Sequence, residues 1–242
     1  MREVFLFIYF NNDIAVHIRC GDILFGHGDY HFMTLNYYLF CFDQILNQSK
    51  HDVQLQRPLS VHFLSQLSSA GAHTSADSEH VDKCSRLVHA LVFKLGERYN
   101  SSDAKNKSKL QFFIKNDDIV TDFASMMYAP HLICGTSTFC LHAALSNTHH
   151  KNVFVPDIGP WLYLNSHTRK ITQNGVLPPT HHLVDVRKNN WFLRSTEVAA
   201  KRWNTDENFE QLIQPFLEIL SSIYDSVCVY YEITNSSNKS MK

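Results

Sequence analysis

Short β-rich runs alternate with longer amphipathic segments about five times between residues 14 and 155, and few architectures tolerate that alternation. The β-rich runs are Ile14–Ile18, Leu59–Leu64, Leu110–Ile114, His131–Cys134 and Asn152–Val155. Between them, Met33–Leu46 places Leu35, Leu39, Phe42, Ile45 and Leu46 at helical spacing. Ser78–Arg98 does the same with Val81, Cys84, Leu87, Val88, Leu91 and Leu95. Asp117 or Asp118 can cap a third helix reaching about Tyr128, where Pro130 stops it. Thr136–Ser146 is a fourth helix, entered through Gly135. The pattern predicts an α/β fold: a Rossmann-like, doubly wound, mainly parallel sheet with helices on both faces.

The remaining segments are less regular. Val4–Phe10 is strand-like and separated from Ile14 by the turn signal Asn11-Asn12-Asp13. Residues 21–31, 66–77 and 157–204 read as loops, the last with one strand near Leu183–Val186. Asp206–Tyr224 reads as an amphipathic helix and Val227–Ile233 as a strand, before a Ser/Asn/Lys tail expected to be disordered. We expect a single Rossmann-like domain over 1–224, followed by a C-terminal strand and tail over 225–242, and 44% hydrophobic content suffices for its core.

A net charge of −1 leaves no general basic field, so nucleic acid is not an expected partner and anion binding must come from a few placed residues. Val4–Phe10 is too short to span a bilayer and no small-residue cleavage site follows, so neither a membrane span nor a signal is expected in this chain. The six cysteines contain no Cys-x-x-Cys pair; several lie in apolar segments and read as small buried hydrophobes, while the even count permits disulfides. Five Asn-x-Ser/Thr sequons occur, at Asn47, Asn100, Asn106, Asn235 and Asn238, and they fit a secretory-pathway protein.

Two motifs carry chemistry. His17-Ile18-Arg19-Cys20-Gly21-Asp22 follows the apolar Ile14-Ala15-Val16, at the strand-to-loop handover where open α/β sheets bind ligands. An arginine there suits a phosphate, since its planar fork donates parallel charge-assisted hydrogen bonds; the same residues could form an ordinary surface ion pair. Downstream, Gly135-Thr136-Ser137-Thr138-Phe139 opens a helix. Orphan N–H groups and the helix dipole favour an anion at such a start, and Ser137 and Thr138 add hydroxyl donors, although Ser and Thr also serve as plain caps. Phe139 offers an apolar face to a base or sugar.

Together the two blocks resemble the GDP-fucose-dependent fucosyltransferase superfamily, nearest to its α1,2 branch and related to the α1,6 and protein O-fucosyltransferases. In that branch a buried strand ends in His-x-Arg-Arg-Gly-Asp and a helix beginning Tyr-Tyr follows, like Asn36-Tyr37-Tyr38 here. Further matches are Asp122, Met126 or Met127, His131, Ile133, Ser137-Thr138-Phe139, Ala143-Ala144 and Val155-Pro156 to Trp161, so the resemblance covers roughly residues 13–165. It implies the donor-binding, C-terminal half of a GT-B glycosyltransferase. It also implies a GDP-sugar donor, a glycan or glycoprotein acceptor, inversion at the transferred fucose, no metal or other cofactor, and a Golgi setting. By the resemblance, Arg19 holds the donor β-phosphate, His17 lies near the nucleotide, and Asp22 orients the loop. Ser137, Thr138 and Phe139 meet the pyrophosphate and nucleoside, and Asp118 or Asp122 reads guanine.

Cys20 stands where the branch has a second arginine, Cys140 where it has a serine, and Leu141-His142 where a Trp-Trp pair is common. Only about a dozen residues precede the arginine block, whereas the resemblance implies a complete N-terminal half before it. The general base for the acceptor hydroxyl is expected in the loop after the arginine, at His27 or Asp29. No Asp-x-Asp pair occurs, which agrees with metal-independent chemistry; His27 and His31 are four apart, but Gly26 and Gly28 argue against the helix a zinc pair would need. Three readings follow: a fucosyltransferase or part of one, a GDP-sugar-binding remnant without catalysis, and an unrelated α/β domain.

Overall fold

A computed structural model describes residues 12–20, 23, 29–49, 57–65, 75–100, 110–115, 117–146, 150–158 and 179–194, the side chains of 49 and 75–80 excepted. The strands expected at Val4–Phe10 and Val227–Ile233, the helix at Asp206–Tyr224 and the tail lie outside the described residues.

Six strands form one sheet: β1 (Ile14–His17), β3 (Leu59–Leu64), β4 (Leu110–Lys115), β5 (His131–Cys134), β6 (Asn152–Pro156) and β7 (His181–Val184). Their order is β4-β3-β1-β5-β6-β7, and every neighbouring pair is parallel. Two short strands absent from the sequence reading, β2 (His31–Met33) and β8 (Phe192–Arg194), pair antiparallel as a separate ribbon. Three-residue strands give too little alternation to register as a pattern.

Four helices cover the sheet: α1 (Leu35–Ser49), α2 (Ser75–Asn100), α3 (Ile119–Tyr128) and α4 (Thr138–Ser146). Alternate residues of β1 sort them onto two faces. Ile14 and Val16 join the cluster with Leu39 and Phe42 of α1 and Leu87 and Leu91 of α2. Ala15 joins the cluster with Met126 of α3 and Ala143 and Ala144 of α4. Ile14, Ala15 and Val16 are all fully buried, which is why a central parallel strand reads as an unbroken apolar run. Burial of each large aliphatic chain contributes roughly 1.5–3 kcal/mol. The architecture is α/β and Rossmann-like, as the alternation predicts.

The amino edge of the sheet is closed by polar contacts. Asn152 opens β6 and is buried; its Nδ2 donates to Gln48 Oε1 at the end of α1 (2.7 Å) and to His131 Nδ1 (3.1 Å). His182 Nε2 donates back to Asn152 Oδ1 at 2.9 Å. Asp13 binds both terminal nitrogens of Arg57 at 2.6 and 2.7 Å. No helix among the described residues is long and apolar enough to cross a membrane.

Candidate anion site at the carboxyl edge

From β1 the chain steps outward to β3 and β4, then returns to β5 on the other side and continues to β6 and β7. The switch point therefore lies between β1 and β5, and both sequence motifs begin there: His17 ends β1 and Cys134 ends β5.

Gly135 brings the two ends together. Its N–H donates to His17 O at 3.0 Å, and a Cβ on it would sit 3.1 Å from that same oxygen and 3.7 Å from Arg19 N. Only a hydrogen fits comfortably against a backbone that cannot swing aside. Tyr37 of α1 fixes the end of β5 from below: its hydroxyl donates to Cys134 O at 2.7 Å and reaches Phe154 O at 3.4 Å.

Thr136 is fully buried, and its hydroxyl both accepts from His31 N (2.8 Å) and donates to His31 O (2.7 Å). It thereby ties the loop after β5 to β2. Replacement by valine keeps the shape and removes both of these bonds to the part-buried His31 backbone, at about 0.5–1.5 kcal/mol each. We expect Thr136→Val to lower the unfolding free energy in urea by about 2 kcal/mol.

Thr138 begins α4, with Ser137 before it as the cap: Leu141 N donates to Ser137 O at 3.0 Å. Thr138 Oγ1 lies 3.5 Å from the Tyr30 hydroxyl, a long contact in which either group can donate. The Tyr30 ring in turn carries Arg19, whose Cζ sits 3.7 Å from the ring centroid. A cation on an aromatic face is attracted by the ring quadrupole, so Tyr30 helps to position the guanidinium. Sequence reasoning missed Tyr30; its only signal was an aromatic at the end of the loop following the arginine.

His17 is buried, and its Nδ1 has no hydrogen-bond partner among the described residues. Burial, then the charge of Arg19, push its pKa down to about 4, so the ring is neutral at physiological pH. It faces Phe139 in the first turn of α4 (5.8 Å between centroids), and Phe139 continues to Phe123 of α3 at 5.4 Å. Phe139 thus packs partly into the core cluster as well as bordering the site. An imidazole nitrogen without a partner among the described residues, a partly exposed guanidinium and the start of a helix meet at one strand crossing, where a helix start favours negative charge.

The two candidate carboxylates differ. Asp118 is spent locally: it caps α3, accepting from Val120 N at 2.9 Å, Thr121 N at 3.0 Å and the Thr121 hydroxyl at 2.8 Å. Those bonds hold its pKa below the ordinary value. Asp122, one turn on, keeps a buried Oδ1 without a partner among the described residues. Desolvation, then the charges of Asp117 and Asp118, raise it to about 7. The folded state thus binds its proton more tightly than the unfolded chain does. The associated stability is complete below about pH 4 and is lost as pH rises through 7. Asp122→Asn should flatten that fall and raise the melting temperature at pH 8, as read by thermal scans across pH. Asp29 is part-buried immediately before Tyr30, while Asp22 and His27 lie outside the described residues.

The cysteines correct the sequence reading. Four of them form two disulfides, Cys20–Cys84 and Cys134–Cys140, each with Cα atoms 5.8 Å apart, and only buried Cys41 is a free thiol among the described residues. Both bonds fall on the site. Cys20 directly follows Arg19 and is tied to α2, and Cys134–Cys140 brackets the whole Gly135–Phe139 turn. Hydropathy alone cannot distinguish a half-cystine from a buried thiol, since both occupy apolar positions. Among the described residues no group of three or more His, Cys, Asp or Glu side chains could hold a metal ion.

No family model, curated protein or solved structure matches this chain.

Proposed function

We propose that the chain binds a GDP-sugar and is the donor-binding part of a GT-B fucosyltransferase, transferring fucose from GDP-fucose to a glycan or glycoprotein hydroxyl with inversion. The observation that carries this reading is the meeting of His17 and Arg19 with Thr136–Phe139 across the switch point, because these are the residues through which the sequence resembles that family.

In an inverting displacement the acceptor oxygen attacks the anomeric carbon as GDP leaves. Negative charge grows on the departing pyrophosphate, so donors aimed at it act mainly in the transition state. Arg19 supplies the charged fork, and the N–H groups and hydroxyls at the start of α4 supply the rest. Neutral His17 donates or accepts one hydrogen bond without repelling Arg19. His27 or Asp29 takes the acceptor proton. The absence of any Asp-x-Asp pair supports a metal-independent reaction, and the Golgi lumen suits the acceptors.

A second reading is a GDP-sugar-binding module without transfer. It is favoured by Cys20, which is committed to a disulfide where the family places a second phosphate-binding arginine. Incubation with GDP-fucose and a panel of glycan acceptors, followed by GDP release and product mass, separates the readings. Turnover supports transfer, binding without turnover supports the module, and neither binding nor turnover refutes both.

A further inference from the structure

Two of the sequon asparagines are described residues, and they share a location. Asn47 lies in the last turn of α1 and Asn100 ends α2, and both side chains are exposed. Each helix runs back from the carboxyl edge of the sheet. Gln48, beside Asn47, bonds Asn152 at the very start of β6, which places that helix end at the amino edge. Asn100 occupies the equivalent end of α2, ahead of β4. The anion site occupies the opposite edge. A bulky group on either asparagine would project away from it.

The disulfides supply an independent observation on the compartment. Cys84, Cys134 and Cys140 are fully buried and Cys20 is 6% exposed, so these bonds belong to the folded core and are shielded from thiol exchange. Structural disulfides of this kind form in the secretory pathway and are rare in reducing compartments. Sequon asparagines are modified in that same pathway.

We propose that Asn47 and Asn100 are N-glycosylation sites on the amino edge of the sheet. The amide nitrogen of each asparagine displaces the diphosphate of a lipid-diphosphate-linked oligosaccharide. The anomeric C–O bond breaks, a C–N bond forms, and the amide gives up one proton. Each disulfide forms in the same compartment as two thiols pass two electrons and two protons to an oxidised dithiol exchange protein.

The test uses the protein isolated from its own cells, alkylated without reduction, and treated with peptide N-glycosidase in heavy-oxygen water. Conversion of Asn47 and Asn100 to labelled aspartate, with the Cys20–Cys84 and Cys134–Cys140 peptides still linked, is the expected result. An unlabelled peptide at either asparagine overturns the proposal for that residue, and four alkylated cysteines overturn it for both. Neither outcome depends on what the anion site binds.

Discussion

Replacing Arg19 with alanine is expected to weaken GDP binding by roughly 10- to 100-fold. The expectation follows from the number and kind of bonds lost. A guanidinium fork on a phosphate makes charge-assisted hydrogen bonds worth about 1.5–3 kcal/mol. The adjacent position offers no second arginine, since Cys20 stands there in a disulfide with Cys84. The fold should lose less, because Arg19 is only partly buried and one of its contacts is the Tyr30 ring at 3.7 Å. Loss of that cation–π contact costs about 0.5–1 kcal/mol, a fall in melting temperature of about 1–4 °C. Arg19→Lys should recover only part of the affinity, since an ammonium cannot bind bidentately or stack flat on Tyr30. Titration calorimetry and thermal scans read the two effects separately.

The second large effect concerns the turn after β5. Removing both Cys134 and Cys140 as alanines is expected to lower GDP affinity at least tenfold while costing the fold only about 2 kcal/mol. The asymmetry comes from the spacing. A sequence separation of 6 constrains the unfolded chain little, so the entropic gain is near the low end for a disulfide. Locally the same bond closes a ring around Gly135, Thr136, Ser137, Thr138 and Phe139, every residue of the turn. Without it, the first N–H groups of α4 lose their fixed aim, and a site built on orientation suffers more than a core built on burial. The Cys20–Cys84 bond, with a separation of 64, reverses the balance: its loss should cost stability first, by about 4 kcal/mol. Binding and urea unfolding of the two double variants, compared side by side, check the contrast.

Much of the scaffold is legible in the chain because burial on two faces leaves a strong mark. β1, β5 and β6 each carry an unbroken apolar triplet and β3 is apolar apart from Ser60 and His62, while α1 and α2 repeat apolar residues at helical spacing over more than three turns. Strand order, and with it the switch point, needs tertiary pairing that no local pattern encodes. β2 and β8 escape notice because three residues carry no period, and β7 begins two residues earlier than its apolar content suggests, at His181 and His182. Of the site, Arg19, His17 and Thr138 are visible as chemistry next to a strand or helix end. Tyr30 is not, and Tyr37 and Thr136 stand in the sequence motifs without any sign of what they bond, since their importance lies in partners up to 117 positions away, as for Tyr37 with Phe154. Asp118 and Asp122 look equivalent in sequence; only the capping bonds of one and the burial of the other tell them apart.

The central claim is that the β1–β5 switch point holds a guanine nucleotide diphosphate. Its most direct test is calorimetric titration of the full chain, disulfides intact, with GDP and then GDP-fucose, repeated with Arg19→Ala. One-to-one binding of both ligands, lost or weakened at least tenfold in the variant, is the predicted result. Absence of binding, or equal affinity in the two proteins, would contradict it.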